Sequence, residues 1–182
     1  MLDPVLTGRL RLRRWRLEDV PSLAVALRES ERELAPWLPW ARPPLEVAAL
    51  RARVERFAAD FAAGRAWFYA VCDRATGALA GGAALEHRRP RALELGYWLR
   101  TSATGRGLAT EAAAALTRVA LEHGHASAVQ IRCDPNNTRS AALAARLGYA
   151  HRTTLPGPVM LWRVSAEEYG PQHAGWIELQ EA

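Results

Sequence analysis

The sequence predicts an α+β fold: a mixed, mostly antiparallel sheet flanked by helices. Three observations predict it. Three strand-like runs follow one another between residues 67 and 99, separated only by turns. One strand–helix–strand crossover comes next, over residues 93–133. A short helix and two return segments then close the pattern. A hairpin group feeding a single crossover belongs to a mixed sheet, whereas a doubly wound sheet needs regular βα alternation.

The elements follow in order. Gly8-Arg9-Leu10-Arg11-Leu12-Arg13 alternates apolar and charged residues, as a strand with one buried face does. Leu17-Glu18-Asp19-Val20-Pro21 opens a helix with acids and an early proline, and Leu23, Leu27 and Leu34 form its apolar side. Ala35-Pro36-Trp37-Leu38-Pro39-Trp40 is a proline-held loop, either a cap over the core or a wall of a substrate pocket, with Trp37 and Trp40 as the pocket candidates. Helical spacing returns over about residues 45–63 and stops at Gly64. Trp67-Phe68-Tyr69-Ala70-Val71-Cys72 is β-prone, residues 73–77 are a turn, and the run 79–86 is the hairpin partner. Gly81 and Gly82 weaken that strand or mark a close backbone approach. Residues 88–91 connect it to a strand at 92–99.

The most informative stretch is Thr104-Gly105-Arg106-Gly107-Leu108-Ala109-Thr110-Glu111. It joins that strand to an alanine-rich helix over about 108–122, closed by His123-Gly124-His125. Amides in a helix's first turn lack intrahelical partners, and the helix dipole favours an anion, so this turn suits phosphate. Residues 128–133 are a strand, 134–137 a turn, and 140–147 a short helix stopped by Gly148. Tyr149 starts a return segment, 159–164 is a late strand, and Ser165-Ala166-Glu167-Glu168 is a capping box. The tail beyond Pro171 carries no signal.

Composition narrows the function. The 182 residues suit one domain, expected over 1–182 with a core at about 5–170, and 49% hydrophobic residues can bury a sizeable core. All 24 basic residues are arginine. Without lysine there is neither a Walker-type phosphate loop nor a Schiff-base lysine. The net charge of +5 is spread along the chain rather than gathered in a block, which argues against a nucleic-acid surface. No apolar run is long enough to span a membrane, and the first residues lack the pattern of a signal peptide. Cys72 and Cys133 lie in strand-like runs and read as buried thiols, so a cytoplasmic protein is expected. His87, His123, His125, His151 and His173 have no zinc-type spacing, and no metal is expected.

These residues resemble the GNAT superfamily of acetyl-CoA-dependent N-acetyltransferases, and more narrowly its RimJ/RimL-like branch. The resemblance covers about residues 5–170. It rests on the 9–13 strand with Glu18-Asp19, Trp37-Leu38-Pro39-Trp40, Glu94-Leu95-Gly96-Tyr97-Trp98-Leu99, Gly105-Arg106-Gly107-Leu108-Ala109-Thr110-Glu111-Ala112, then Asn137, Ser140 and Leu147-Gly148-Tyr149. It implies acetyl-CoA as co-substrate. Its pyrophosphate would lie on the loop from Thr104 to Thr110, with Arg106 adding charge and with Thr104 departing from the family's usual Gln or Arg. It further implies an opening between the strand ending at Leu99 and the strand 129–133. The pantetheine arm would lie there, bound by Trp98, Leu99 and Asn137.

Transfer of acetyl to an amine requires a base, a stabilised oxyanion and a proton for the departing thiolate. Glu94 is the expected base, with Glu86 second. The tyrosine that many members carry seven residues after the asparagine is Ala144 here. Ser140, matched to a serine of the RimL-like branch, is the expected acid, while Tyr149 reads as core. The acidic residue that the branch often has before the last core strand is absent from Pro156-Gly157-Pro158-Val159. The acceptor implied is a peptide N-terminal amine or a small-molecule amine, and the branch's frequent dimers make a homodimer an open alternative. A CoA-binding module of the same fold without transfer activity is the competing reading.

Overall fold

The structure is a computed structural model and describes residues 1–173 apart from Pro90, Gly124 and Pro158. The expected connector at Pro90, the helix end at Gly124, the turn at Pro158 and the 174–182 part of the tail lie outside the described residues. The strands are β1 (Val5–Leu6), β2 (Leu10–Arg14), β3 (Ala66–Asp73), β4 (Leu79–Arg89), β5 (Ala92–Leu99), β6 (Ala128–Cys133), β7 (Ala150–Leu155) and β8 (Val159–Ser165). The helices are α1 (Val20–Glu29), α2 (Glu31–Leu34), α3 (Val47–Ala62), α4 (Leu108–Glu122), α5 (Thr138–Arg146) and α6 (Ala166–His173).

The strands form one sheet in the order β1-β2-β3-β4-β5-β6-β8-β7. Every neighbouring pair is antiparallel except β5 and β6, which the α4 crossover makes parallel. This is the mixed, mostly antiparallel α+β architecture expected. The alanines of α4 let it settle closely on one face, where Ala112, Ala115, Leu116 and Val119 pack with Leu85, Leu93, Leu95 and Ile131. The opposite face carries α1 and α3, whose Leu23, Leu27, Leu50, Val54 and Phe57 pack with Trp15, Ala70 and Cys72.

Three details of the chain behave as its sequence indicates. Both cysteines are free and buried, and burial pushes each thiol up. The capping box at α6 forms, the Ser165 amide donating to the Glu168 carboxylate (2.8 Å) and the Glu168 amide to the Ser165 hydroxyl (3.3 Å). Tyr149 is core: its hydroxyl lies 2.6 Å from that of Thr117. The short edge strand β1 was not anticipated, because two residues carry no readable periodicity.

Candidate active site

The site starts where the sheet comes apart. Strand β5 pairs with β6 only through Ala92↔Ala128, Leu93↔Val129 and Glu94↔Gln130. Beyond that point residues 95–99 of β5 continue against β4 alone, and residues 131–133 of β6 continue against β8. The opening expected between the two strands is therefore present. It presents backbone groups of β5, including those of Leu99, that have no partner on the β6 side, while those of Trp98 face β4.

Two glycines in β4 allow β5 to run this way. A Cβ on Gly81 would lie 2.1 Å from the Trp98 carbonyl oxygen, and one on Gly82 would lie 2.6 Å from the Trp98 indole nitrogen. Neither distance is tolerable. The close approach read from the glycine pair is thus a requirement of the Trp98 position.

Below the opening lies the glycine loop. Gly105 and Gly107 both have φ of 75°, a left-handed conformation that favours glycine. Gly107 caps α4, and the first intrahelical bond runs from the Glu111 amide to the Gly107 carbonyl (3.1 Å). The amides of Leu108, Ala109 and Thr110 precede it and have no helical partner. Free first-turn amides at a helix N-terminus are the kind of group that receives an anion such as phosphate. The space at Gly107 is less restrictive than its φ, since a Cβ would meet only the Arg9 guanidinium at 3.6 Å. The Thr104 hydroxyl turns back to the Thr101 carbonyl (2.8 Å). The Thr110 hydroxyl accepts from Arg146 of α5 (3.3 Å).

The loop is fastened to the far end of the chain. Arg9 donates through Nη1 to the Arg106 carbonyl (2.8 Å) and through Nε to Glu111 (2.7 Å). Glu111 also accepts from the Thr7 hydroxyl (2.5 Å) and the Arg9 amide (2.9 Å). Burial pushes the Glu111 carboxyl up, but these bonds outweigh it and hold the group below its ordinary value. Sequence reading noted Arg9 and Glu111 separately and had no signal for their pairing.

Ser140 and Tyr97 span the opening. Their hydroxyls lie 2.8 Å apart. Burial pushes the Tyr97 phenol up to about 12 against the Ser140 hydrogen bond, so it is protonated at neutral pH. A phenol therefore stands beside Ser140 although Ala144 supplies none. It comes from β5 rather than α5, and sequence spacing on α5 could not reveal it. Asn137 caps α5, its side chain accepting from the Ser140 amide (3.1 Å).

On the other face of β5 is a cleft of about 300 Å³. Trp15, Trp40, Phe57, Phe68 and Trp98 wall it, with Leu23 and Leu38, and Gly82, Ala84 and Gly96 form its floor. Trp40 meets Trp98 edge-on, with centroids 6.2 Å apart. Trp37 is not among the lining residues and is exposed. Glu86 lines the cleft, and among the described residues its carboxylate has no hydrogen bond or ion pair. Glu94 stands directly opposite Glu86 in the β4–β5 register. Its carboxylate is held by Arg132 (2.6 Å), Arg88 (3.1 Å) and Gln130 (3.1 Å). Alternation along β5 correctly assigned Glu94 to the face of Gly96 and Trp98, but gave no sign of this clamp. Among the described residues no group of three His, Cys, Asp or Glu side chains could hold a metal.

The model of the acetyltransferase (GNAT) domain family matches residues 9–150 of the chain. No individually curated protein matches it. Among solved structures, RimL, a ribosomal-protein α-N-acetyltransferase in complex with coenzyme A, is 22% identical. That match covers 87% of this chain and 94% of the other, with a TM-score of 0.78. A microcin C7 self-immunity acetyltransferase in complex with acetyl-CoA and AMP is 17% identical, over 87% and 93%, with a TM-score of 0.78. An acetyltransferase from Salmonella typhimurium that modifies the N-terminal serine of a 50S ribosomal subunit protein is 22% identical, over 87% and 95%, with a TM-score of 0.75. At these identities the likeness is one of fold. No helix of the described residues is long and apolar enough to cross a membrane. The chain belongs to the GNAT family of acetyl-CoA-dependent N-acetyltransferases and has the fold of its RimJ/RimL-like members.

Proposed function

We propose that the protein transfers acetyl from acetyl-CoA to a primary amine by direct attack in a ternary complex. The observation that carries this reading is the separation of β5 from β6 past Glu94 and Gln130. It leaves an unpaired length of β5 between a phosphate-type cradle, an aromatic cleft and a pair of hydroxyls. Acetyl-CoA supplies an acyl thioester. The amides at the start of α4, with Arg106 beside them, hold its pyrophosphate, and Asn137 and the free edge of β5 flank its arm. Of the Trp98–Leu99 backbone, the Leu99 N–H faces the opening and stabilises the developing oxyanion.

The amine enters from the cleft, where Trp40 forms a wall. Glu86 removes its proton. We favour Glu86 over Glu94 because Glu94 already accepts from two arginines and a glutamine, while Glu86 faces the cleft without a partner among the described residues. The Tyr97–Ser140 pair delivers a proton to the departing thiolate, with Ser140 nearest the α5 cap and Tyr97 behind it. The acceptor is a peptide N-terminal amine or a small-molecule amine. The first gains support from the ribosomal-protein acetyltransferases of the same fold, and the second from the small volume of the cleft, about 300 Å³.

Thiol release from acetyl-CoA across an amine panel tests the reading. Glu86→Gln should lower kcat by about 10²-fold, the usual scale for losing a general base. The acidic limb of its pH–rate profile should disappear as well. If Glu94→Gln removes that limb and Glu86→Gln does not, Glu94 is the base. Release of thiol with no acceptor in a broad panel, with acetyl-CoA still bound, would favour the inactive CoA-binding module.

A further inference from the structure

The acceptor cleft holds a second charged feature that acetyl transfer itself does not use. Arg53 and Arg56 stand one turn apart on α3, and both line the cleft. The Arg53 guanidinium lies 4.6 Å from the Trp40 ring centroid and 5.9 Å from that of Phe57, and the Arg56 guanidinium lies 5.7 Å from that of Phe57. These stacks hold the cations against the aromatic wall. Nine other arginines pair with carboxylates: Arg9, Arg13, Arg14, Arg65, Arg88, Arg100, Arg118, Arg132 and Arg152. Among the described residues neither Arg53 nor Arg56 has an acidic partner. Burial and the neighbouring Arg56 both disfavour the charged form of Arg53. Two like charges therefore stand beside each other at an open cleft, Arg53 partly desolvated and Arg56 exposed. The stacking offsets part of this cost, but the repulsion between the two cations itself adds nothing to stability. An anion placed between them would relieve the repulsion, and arginine binds carboxylate and phosphate through paired N–H donors.

We infer that the acceptor is an amine on an apolar or aromatic body that also carries a carboxylate or phosphate, with Arg53 and Arg56 as the residues that select the anionic group. The inference rests on the reading of this cleft as the acceptor site. The two walls then divide the work. Glu86, on the sheet, faces the amine; the arginine pair, on α3, faces the anion; and Trp40, Phe57 and Trp98 hold the body between them. A polyamine or other polycation would meet repulsion from α3 and is selected against.

Two readouts test this. In the first, quenching of tryptophan fluorescence measures binding of N-acetylphenylalanine and of N-acetylphenylalaninamide, which differ only in the negative charge. The carboxylate should bind about tenfold tighter at low salt, a preference characteristic of a partly buried charge pair. Arg53→Gln/Arg56→Gln should abolish the preference, and Arg53→Lys/Arg56→Lys should keep part of it. A rise in melting temperature with acetyl-CoA controls for folding of each variant. Equal binding of the two compounds, or a preference that survives the Gln double variant, overturns the inference. The second readout is acetylation of phenylalanine, phenylalaninamide, tyramine phosphate and the dipeptide amide Phe-Asp. Preference for one of the anionic members identifies the source of the anion as an α-carboxylate, a phosphate or an acidic side chain. Faster acetylation of the neutral amide than of every anionic member also overturns it. Anion binding without acetylation of any amine leaves the arginine site standing and removes instead the reading of the cleft as the acceptor site.

Discussion

The two sides of this site handle charge in opposite ways. At the glycine loop the acid beside the backbone cradle is neutralised from within. Glu111, whose carboxylate at the start of α4 would repel a phosphate, is covered by Arg9 and Thr7. What remains for a ligand is a set of neutral amides, the helix dipole and Arg106, which makes no ion pair among the described residues. In the cleft, Arg53 and Arg56 stack on aromatic rings, but neither they nor Glu86 has a hydrogen-bond or ion-pair partner among the described residues. The comparison teaches that the loop is built to bind one invariant group, whereas the cleft keeps its charges for a ligand that must be chosen. A third area separates them. Glu29 at the end of α1 accepts from Arg100 (2.9 Å) and from the Ser102 amide (2.7 Å), which fixes the turn Thr101–Ala103 that leads into the loop.

The largest effect is expected from Gly107→Glu. It places a side chain at φ of 75° and a carboxylate at the phosphate cradle. The left-handed conformation alone costs about 1–2 kcal/mol. Acetyl-CoA should no longer raise the melting temperature, while an anionic acceptor analogue still quenches cleft tryptophan fluorescence. Loss of both signals in a folded variant would mean that the two halves are not independent. Arg9→Met should act in the same direction but less, because it exposes the Glu111 charge near the pyrophosphate. Acetyl-CoA affinity should fall by about three- to tenfold, more at low salt, as expected for a partly screened charge near a helix end. Adding Glu111→Gln should restore much of the loss, and calorimetry would measure each step. An affinity unchanged in Arg9→Met would show that the internal neutralisation is unnecessary.

The smallest effect concerns Glu29. The hydrogen bond from Arg100, then those from Ser102, hold its carboxyl down to about 2 from an ordinary 4.5. A depressed carboxyl contributes its stability fully above its unfolded value and loses it as pH falls through the folded one. The contribution should therefore drain between about pH 4.5 and 2. The group is exposed, so solvent screening keeps the effect modest. Melting temperature against pH should fall more steeply over this window in the native protein than in Glu29→Gln. Parallel curves would remove the anchor from the description of the turn.

Much of the fold was legible because it rests on local patterning. The 9–13 alternation, the β-prone run at residues 67–72, the alanine-rich α4 and the capping box at Ser165 each declare themselves within a few residues. The glycine loop was legible for the same reason: a positive φ selects glycine at Gly105 and Gly107 whatever surrounds them. Even the faces of β5 followed from alternation, with Glu94 and Trp98 on one side and Leu93, Leu95 and Tyr97 on the other. Alternation names a face but not what packs there. It could not separate Glu86 from Glu94, because the Arg88 and Arg132 clamp comes partly from β6. Nor could it separate Trp40, in the cleft, from Trp37, outside it, because both lie in one proline-held loop.

By itself, then, the sequence determined the order of elements, the single crossover and the anion cradle, all of which depend on periodicity or on one residue's backbone freedom. The tertiary structure decided the meeting of groups distant in the chain. Arg9 reaches Glu111, Tyr97 reaches Ser140, and α3 carries Arg53 and Arg56 over the sheet that bears Glu86. Those contacts follow from how helices settle on the two faces and from where β5 leaves β6. They are set by packing across many residues, and no short window of sequence contains them.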